Sequence, residues 1–166
     1  MLPDLPRLLI ESYARWTGLS LVDLRLPDEA LAAALWELDR VVVAHDTQAD
    51  PVFQYGNRMA LELFEMDFAT FTRLPSRQSA EPVHQSERQK LLEEVRLNGY
   101  SDSYSGVRVS RTGKRFRIAN ATIWNVVDAE GKLHGQAACF SEWAPLPSCG
   151  GTPQPLCHSY INPTSV

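Results

Sequence analysis

Arg77 stands in LPSRQSAEP between two prolines, with Glu81 four residues on. A guanidinium in that setting has two uses. It can fork onto loop carbonyls or Glu81 and brace the loop, or it can take a ligand carboxylate through two parallel N–H bonds. Arg108 and Arg117 flank Thr112-Gly113. If the two sit on neighbouring strands, side-chain alternation can bring both to one side of a sheet, as a solvated face or an anion-binding patch. The histidines are His45, His84, His134 and His158, and the cysteines are Cys139, Cys149 and Cys157. Haem ligation needs a histidine on a helix that faces a pocket, whereas His84 begins a helix expected to face water. Cys149, Cys157 and His158 match no zinc-module spacing, so no metal is expected. Cys139, beside Phe140, reads as a small buried hydrophobe. A G-x-S-x-G elbow, a phosphate-binding P-loop and a dinucleotide fingerprint are all missing from the sequence, and no catalytic residue is assigned.

The larger signal is aromatic. Phe53, Tyr55, Phe64, Phe71, Tyr104, Phe116, Trp124 and Phe140 all fall on segments that would fold toward one interior. They either fill a core or line a cavity for a small aromatic or acyl molecule, with Tyr and Trp tips to orient it. Together with Arg77 they form the candidate ligand-binding set. Which cofactor such a cavity would take, if any, is unknown from residue types.

These residues need elements to position them. Leu5, Leu8, Leu9, Tyr13 and Trp16 form one helical stripe, which Gly18 can end. Pro27, Asp28 and Glu29 open a second helix with Leu31, Leu35 and Leu38 on its apolar side. Val41-Val42-Val43 and Val52 to Tyr55 are expected to be strands, and Asn57 is a good cap for a helix carrying Met59, Ala60, Leu63 and Phe64. Asp67 caps one further helical turn, and an ordered loop follows from Leu74 to Val83. A helix opened by Pro82 then carries Leu91, Leu92 and Val95 inward and stops at Gly99. Three strands follow, from Tyr104 to Trp143, turning at Thr112-Gly113 and at Asp128 to Gly131. The expected divisions are a helical cap over 1–26, a sheet-and-helix domain over 27–143 and a disordered tail over 144–166, where Pro, Gly, Ser and Thr dominate.

At 166 residues with 44% hydrophobic and 22% charged content, the chain can bury one ordinary core. Sixteen Lys and Arg against 20 Asp and Glu leave a formal charge of −4, which argues against nucleic acid as a partner. No apolar run is long enough to span a bilayer, and no secretory signal is expected in MLPDLPRLLIE, which has no basic stretch before an apolar one. An odd cysteine count provides no disulfide framework, so a reducing cytoplasm is expected.

Two strands, several short helices and a three-stranded meander resemble the PAS arrangement. More narrowly, HDTQADPVFQYGNRMALELFE, LPSRQSAEP, YSGVRVSRTGKRFRI, ATIWNVVD and GQAACFSEW resemble the MEKHLA-domain family. This PAS-related family occurs as short bacterial single-domain proteins and at the C-terminus of plant homeodomain–leucine zipper factors. The resemblance implies an α+β fold: a five-stranded antiparallel sheet, short helices over one face and the two N-terminal helices over the other, against Ala119, Ala121 and Ile123. It also implies a non-enzymatic sensory module that acts through an unidentified small molecule or protein partner, with homodimerisation as one form of contact. Flavin-binding PAS photosensors carry a reactive cysteine in an NCRFLQ-type motif that is missing from this sequence. The alternatives are an interaction module with a filled core, and a small isomerase-like enzyme built on Tyr55 or Tyr104.

Overall fold

The structure, a computed structural model, describes residues 4–81 and 85–147. Pro82, His84, Cys149, Cys157 and His158, on which sequence-based expectations were placed, lie outside them. The order is α1 Leu5–Thr17, α2 Asp28–Trp36, β1 Val41–His45, β2 Phe53–Gly56, α3 Arg58–Phe64 and α4 Phe68–Phe71. A 3-10 turn at Ser76–Ser79 follows, then α5 Gln85–Asn98, β3 Tyr100–Val109, β4 Arg115–Val127, β5 Leu133–Phe140 and β6 Glu142–Leu146. The strands form one antiparallel sheet in the order β2-β1-β5-β4-β3, with β6 also paired to β4. The expected PAS-like α+β sheet is therefore present, with one short strand added. That strand includes Pro145 and Leu146, which the composition had assigned to the tail.

Local chemistry explains most element ends. Gly18 ends α1 in the left-handed conformation. Asn57 caps α3 and does more. Its Oδ1 accepts from the amides of Ala60 and Val42, while its Nδ2 donates to Arg40 O at 2.7 Å and Leu35 O at 3.4 Å. One fully buried amide thus joins the end of α2, the start of β1 and the first turn of α3. The C-terminal end of α3 is tied down as well. Ser110 Oγ donates to Glu65 at 2.6 Å, the Thr112 hydroxyl also donates to it, and Lys114 Nζ lies 3.0 Å away. Those bonds hold the Glu65 carboxyl down to about 2.

α1 is zipped onto β4. Leu5, Leu9 and Ile10 are fully buried with Val42, Trp124, Val126 and Cys139, and each such aliphatic side chain contributes about 1.5–3 kcal/mol by leaving water. Ser12 Oγ donates to Val127 O and accepts from Val127 N, both at 2.9 Å. Trp16 Nε1 donates to Asn125 O at 2.9 Å. The Trp16 ring lies so close to Gly99 that a Cβ there would fall 2.6 Å from it, and Gly99 has φ +100, so this position suits glycine on both counts.

The expected contacts at Ala121 and Ile123 require correction. Ala121 packs into the opposite layer with Phe116 and Ile118, and Ile123 likewise faces away from α1; Thr122, Trp124 and Val126 carry the face toward the N-terminal helices. The cause is Asn120, whose φ of 52 places one extra residue of β4 opposite Ser105 and shifts the register against β3. Alternation counted from Phe116 therefore changes parity halfway along the strand.

Two stability outcomes follow. Asn57→Ala strands two buried amides and the Arg40 carbonyl, and should lower unfolding free energy in urea by about 2–4 kcal/mol. Asn120→Gly should be close to neutral, whereas Asn120→Val should lose roughly 1–2 kcal/mol because a β-branched residue resists a left-handed φ.

Candidate functional site

Between α5 and the inner face of the sheet lies a cavity of about 50 Å³. Phe53, Phe64, Ile118 and Phe140 make its apolar wall; Tyr104, Arg88, Arg108, His45, Ser79 and Gln136 bring polar groups to it. Strand periodicity explains the contributors. Val41, Val43 and His45 share one side of β1, and Gln136, Ala138 and Phe140 share the same side of β5. β3 adds Arg108 opposite Phe116, its guanidinium over the Tyr104 ring at 5.4 Å.

α5 contributes Arg88, four residues before Leu92 and seven before Val95, so it occupies the apolar stripe of its helix. Arg88 is 7% exposed. Its Nη2 donates to Ser76 Oγ at 2.5 Å, and among the described residues no carboxylate lies within ion-pair distance of it. Burial lowers its pKa to about 10 and Arg108 acts in the same sense, with Tyr104 and Asp50 opposing. It remains a cation at neutral pH.

His45 is 9% exposed and lines the same cavity. Its Nδ1 lies 2.9 Å from Asp46 O, and a carbonyl only accepts, so Nδ1 carries the proton. Nε2 is then an acceptor, and it is the buried side-chain atom without a partner among the described residues. Burial brings the His45 pKa down to about 4; the Asp46 carbonyl opposes this and the Arg88 charge reinforces it. The ring is neutral at pH 7.

α5 is held over this cavity mainly through its own carbonyls. Asn125 Nδ2 donates to Val95 O and Arg96 O, and Gln136 Nε2 donates to Leu92 O at 2.7 Å. An adjoining groove of about 180 Å³ beneath the same helix shares His45, Leu92 and Gln136 with the cavity.

The candidate set divides into four groups. Phe53, Phe64, Tyr104 and Phe140 line the cavity. Phe71 and Phe116 back it, with Phe71 stacked on Phe53 at 4.3 Å and Phe116 edge-on to Phe64 at 5.4 Å. Tyr55 and Trp124 lie on the opposite face, Trp124 edge-on to Tyr13 at 5.0 Å, so the common interior expected for all eight aromatics is really two. Arg77 is at the surface, its Nε 3.0 Å from Asp50; Glu81, read as its partner, takes Arg115 bidentately at 2.9 and 3.0 Å. Arg117 pairs across from Val107 and is exposed, so it does not join Arg108 on one side. Cys139 faces α1, where burial pushes its thiol up to about 11. Arg88 and His45 join the site although composition and motif do not mark them as ligand-facing. The helical spacing to Leu92 and the two-residue spacing from Val43 were the signals that could have found them.

The MEKHLA domain model matches residues 4–145. The chain is 26% identical over 145 residues to Homeobox-leucine zipper protein HOX9 of Oryza sativa subsp. indica, covering 86% of this chain and 17% of that protein. It therefore spans only a small part of the curated relatives it matches. Among solved structures it is similar to the PAS domain of a protein from Colwellia psychrerythraea, with TM-score 0.59 and 12% identity over 67% of this chain and 92% of that one. It is also similar to the light-state dimer of the fungal blue-light photoreceptor Vivid, with TM-score 0.51 and 18% identity over 64% and 79%. At such identities the likeness is one of fold.

His45 predicts a pH dependence. Its folded pKa of about 4 lies below the ordinary 6.5, so the unfolded chain takes up the proton first as pH falls. Stability should decline between pH 6.5 and 4, by roughly 3 kcal/mol, and level off from this source below that. Urea titrations of the wild type and His45→Gln across this window should differ by that slope, with the variant flatter.

Proposed function

The chain belongs to the MEKHLA domain family, and we propose that it is a PAS-like sensory or regulatory module that binds a small molecule beneath α5 and thereby changes an interaction surface, without catalysis. The observation that carries this reading is the cavity itself, where buried, incompletely bonded polar groups meet an apolar wall. Structural cores satisfy such groups; binding sites keep them aimed inward.

The mechanism is a population shift. A ligand that contacts Arg88, Leu92 and the sheet together favours one seat of α5, and the outer side of that helix is solvent-exposed at Lys90, Glu94 and Leu97. A partner that reads this side senses occupancy. Two observations support a non-catalytic role. The cavity's titratable side chains are engaged elsewhere: His45 Nδ1 is held by the Asp46 carbonyl and the Tyr104 ring lies beneath the Arg108 guanidinium. Tyr55, considered for an isomerase-like site, is buried on the far face, where desolvation raises its pKa.

A ligand-free interaction module is the second reading, favoured by the modest size of the cavity against the roughly 300 Å³ at which drug-sized pockets begin. Thermal shift over a metabolite panel, followed by hydrogen exchange, separates the two. A ligand at about a hundredfold its Kd should raise Tm by roughly 5–10 °C and slow exchange in α5. A panel that moves neither, with native mass spectrometry showing the bare chain, selects the interaction module.

A further inference from the structure

Resting on that reading, we propose that the cavity ligand is a short-chain 2-hydroxy carboxylate, its carboxylate on Arg88 and its hydroxyl donated to Nε2 of His45. Size comes first. About 50 Å³ falls far below the roughly 300 Å³ at which drug-sized pockets begin, so the occupant is a small body.

Charge comes second. Arg88 and Arg108 both reach the lining, and no Asp or Glu does so among the described residues. The Arg88 guanidinium offers N–H groups in a planar fork and has one hydroxyl, that of Ser76, as its described hydrogen-bond partner. A carboxylate matches that fork and offsets the like charge of Arg108.

The acceptor at His45 comes third and narrows the class. With Nδ1 turned to the Asp46 carbonyl, Nε2 presents a lone pair to the cavity, which a carboxylate oxygen cannot use. A ligand that serves both ends carries an anionic acceptor and a neutral donor on one short body. The apolar wall of Phe53, Phe64 and Phe140 suits a hydrocarbon tail of one or two carbons. A 2-hydroxy acid has all three parts.

The experiment is calorimetric titration of the full chain with sodium glycolate and lactate, with acetate, propionate, glycolamide and lactamide as comparators, at fixed ionic strength. The expected order is hydroxy acid over plain acid, with no heat from the amides. Arg88→Met should keep its fold, since a hydrophobe there removes a buried charge, and should weaken lactate between about tenfold and a hundredfold. Arg88→Lys retains charge without the fork and should lie between. His45→Phe should equalise lactate and propionate. Amides binding as well as the acids, or Arg88→Met binding lactate unchanged, would overturn the assignment and leave small-molecule binding standing. Equal affinity for lactate and propionate in the wild type would overturn the role of His45. If the broader panel and these acids all fail to bind, the sensory reading fails with it.

Discussion

A sheet covered on both faces has to present apolar side chains in two directions, and β4 meets that demand with Asn120. Before that residue the strand alternates, with Phe116 and Ile118 buried and Arg117 exposed; after it every residue from Ala121 to Val127 is buried. The left-handed turn of the backbone lets Phe116, Ile118, Ala121 and Ile123 share the inner face, while Trp124 and Val126 take the outer one. β5 follows the same bend by passing into β6 at Ser141, and Asn120 Nδ2 bonds Glu142 across it at 2.8 Å. Asparagine tolerates this conformation better than other side-chain-bearing residues, and the loss of alternation is the general consequence of a bulge.

The two faces are built on different physics. On the outer one, α1 brings aliphatic side chains, the Tyr13–Trp124 edge contact and the reciprocal Ser12–Val127 bonds, with its buried polar groups paired. That layer supplies packing and dispersion, and it fixes the sheet. On the inner one, α5 is attached by side-chain amides of Asn125 and Gln136 to its carbonyls and by Arg88 to a serine. Its apolar contribution is thin: Val95 is buried, whereas Leu91 and Leu92 are half-exposed. Few buried apolar contacts therefore oppose movement of the inner helix.

Much of the fold was legible in the sequence. Gly18, Asn57, Gly99, Gly113 and Gly131 mark element ends through local backbone chemistry, and all sit where their residue types suggest. What local chemistry cannot register is a shift in strand pairing. Asn120 in RIANATIW resembles any polar residue on an exposed strand position, so simple alternation puts Trp124 on the wrong face; Tyr55 is turned outward by a second register shift, between Ala44 and His45, that sets it opposite Ala44. Ion-pair partners were illegible for a related reason. Arg77 and Glu81 are close in sequence, but the fold brings Asp50 to the first and Arg115 to the second across 27 and 34 residues. Arg88 was hidden by its neighbours: in SERQKLLEEVRLN a charge on the apolar stripe looks like one more surface charge.

That misplaced charge is the hardest feature to explain by stability alone. Replacing a buried guanidinium with a hydrophobe of similar volume is generally neutral or stabilising, and a second guanidinium nearby increases the penalty. The fold could have closed the cavity with a leucine at the Arg88 position, packed against Phe53, Phe64 and Leu92. It instead sets the guanidinium on a helix with weak apolar attachment, opposite a neutral imidazole whose remaining nitrogen has no described protein partner. Each of these choices lowers stability, and all three converge on a single space. Stability favours none of them, whereas the proposed recognition of a small anion accounts for all three through one set of contacts.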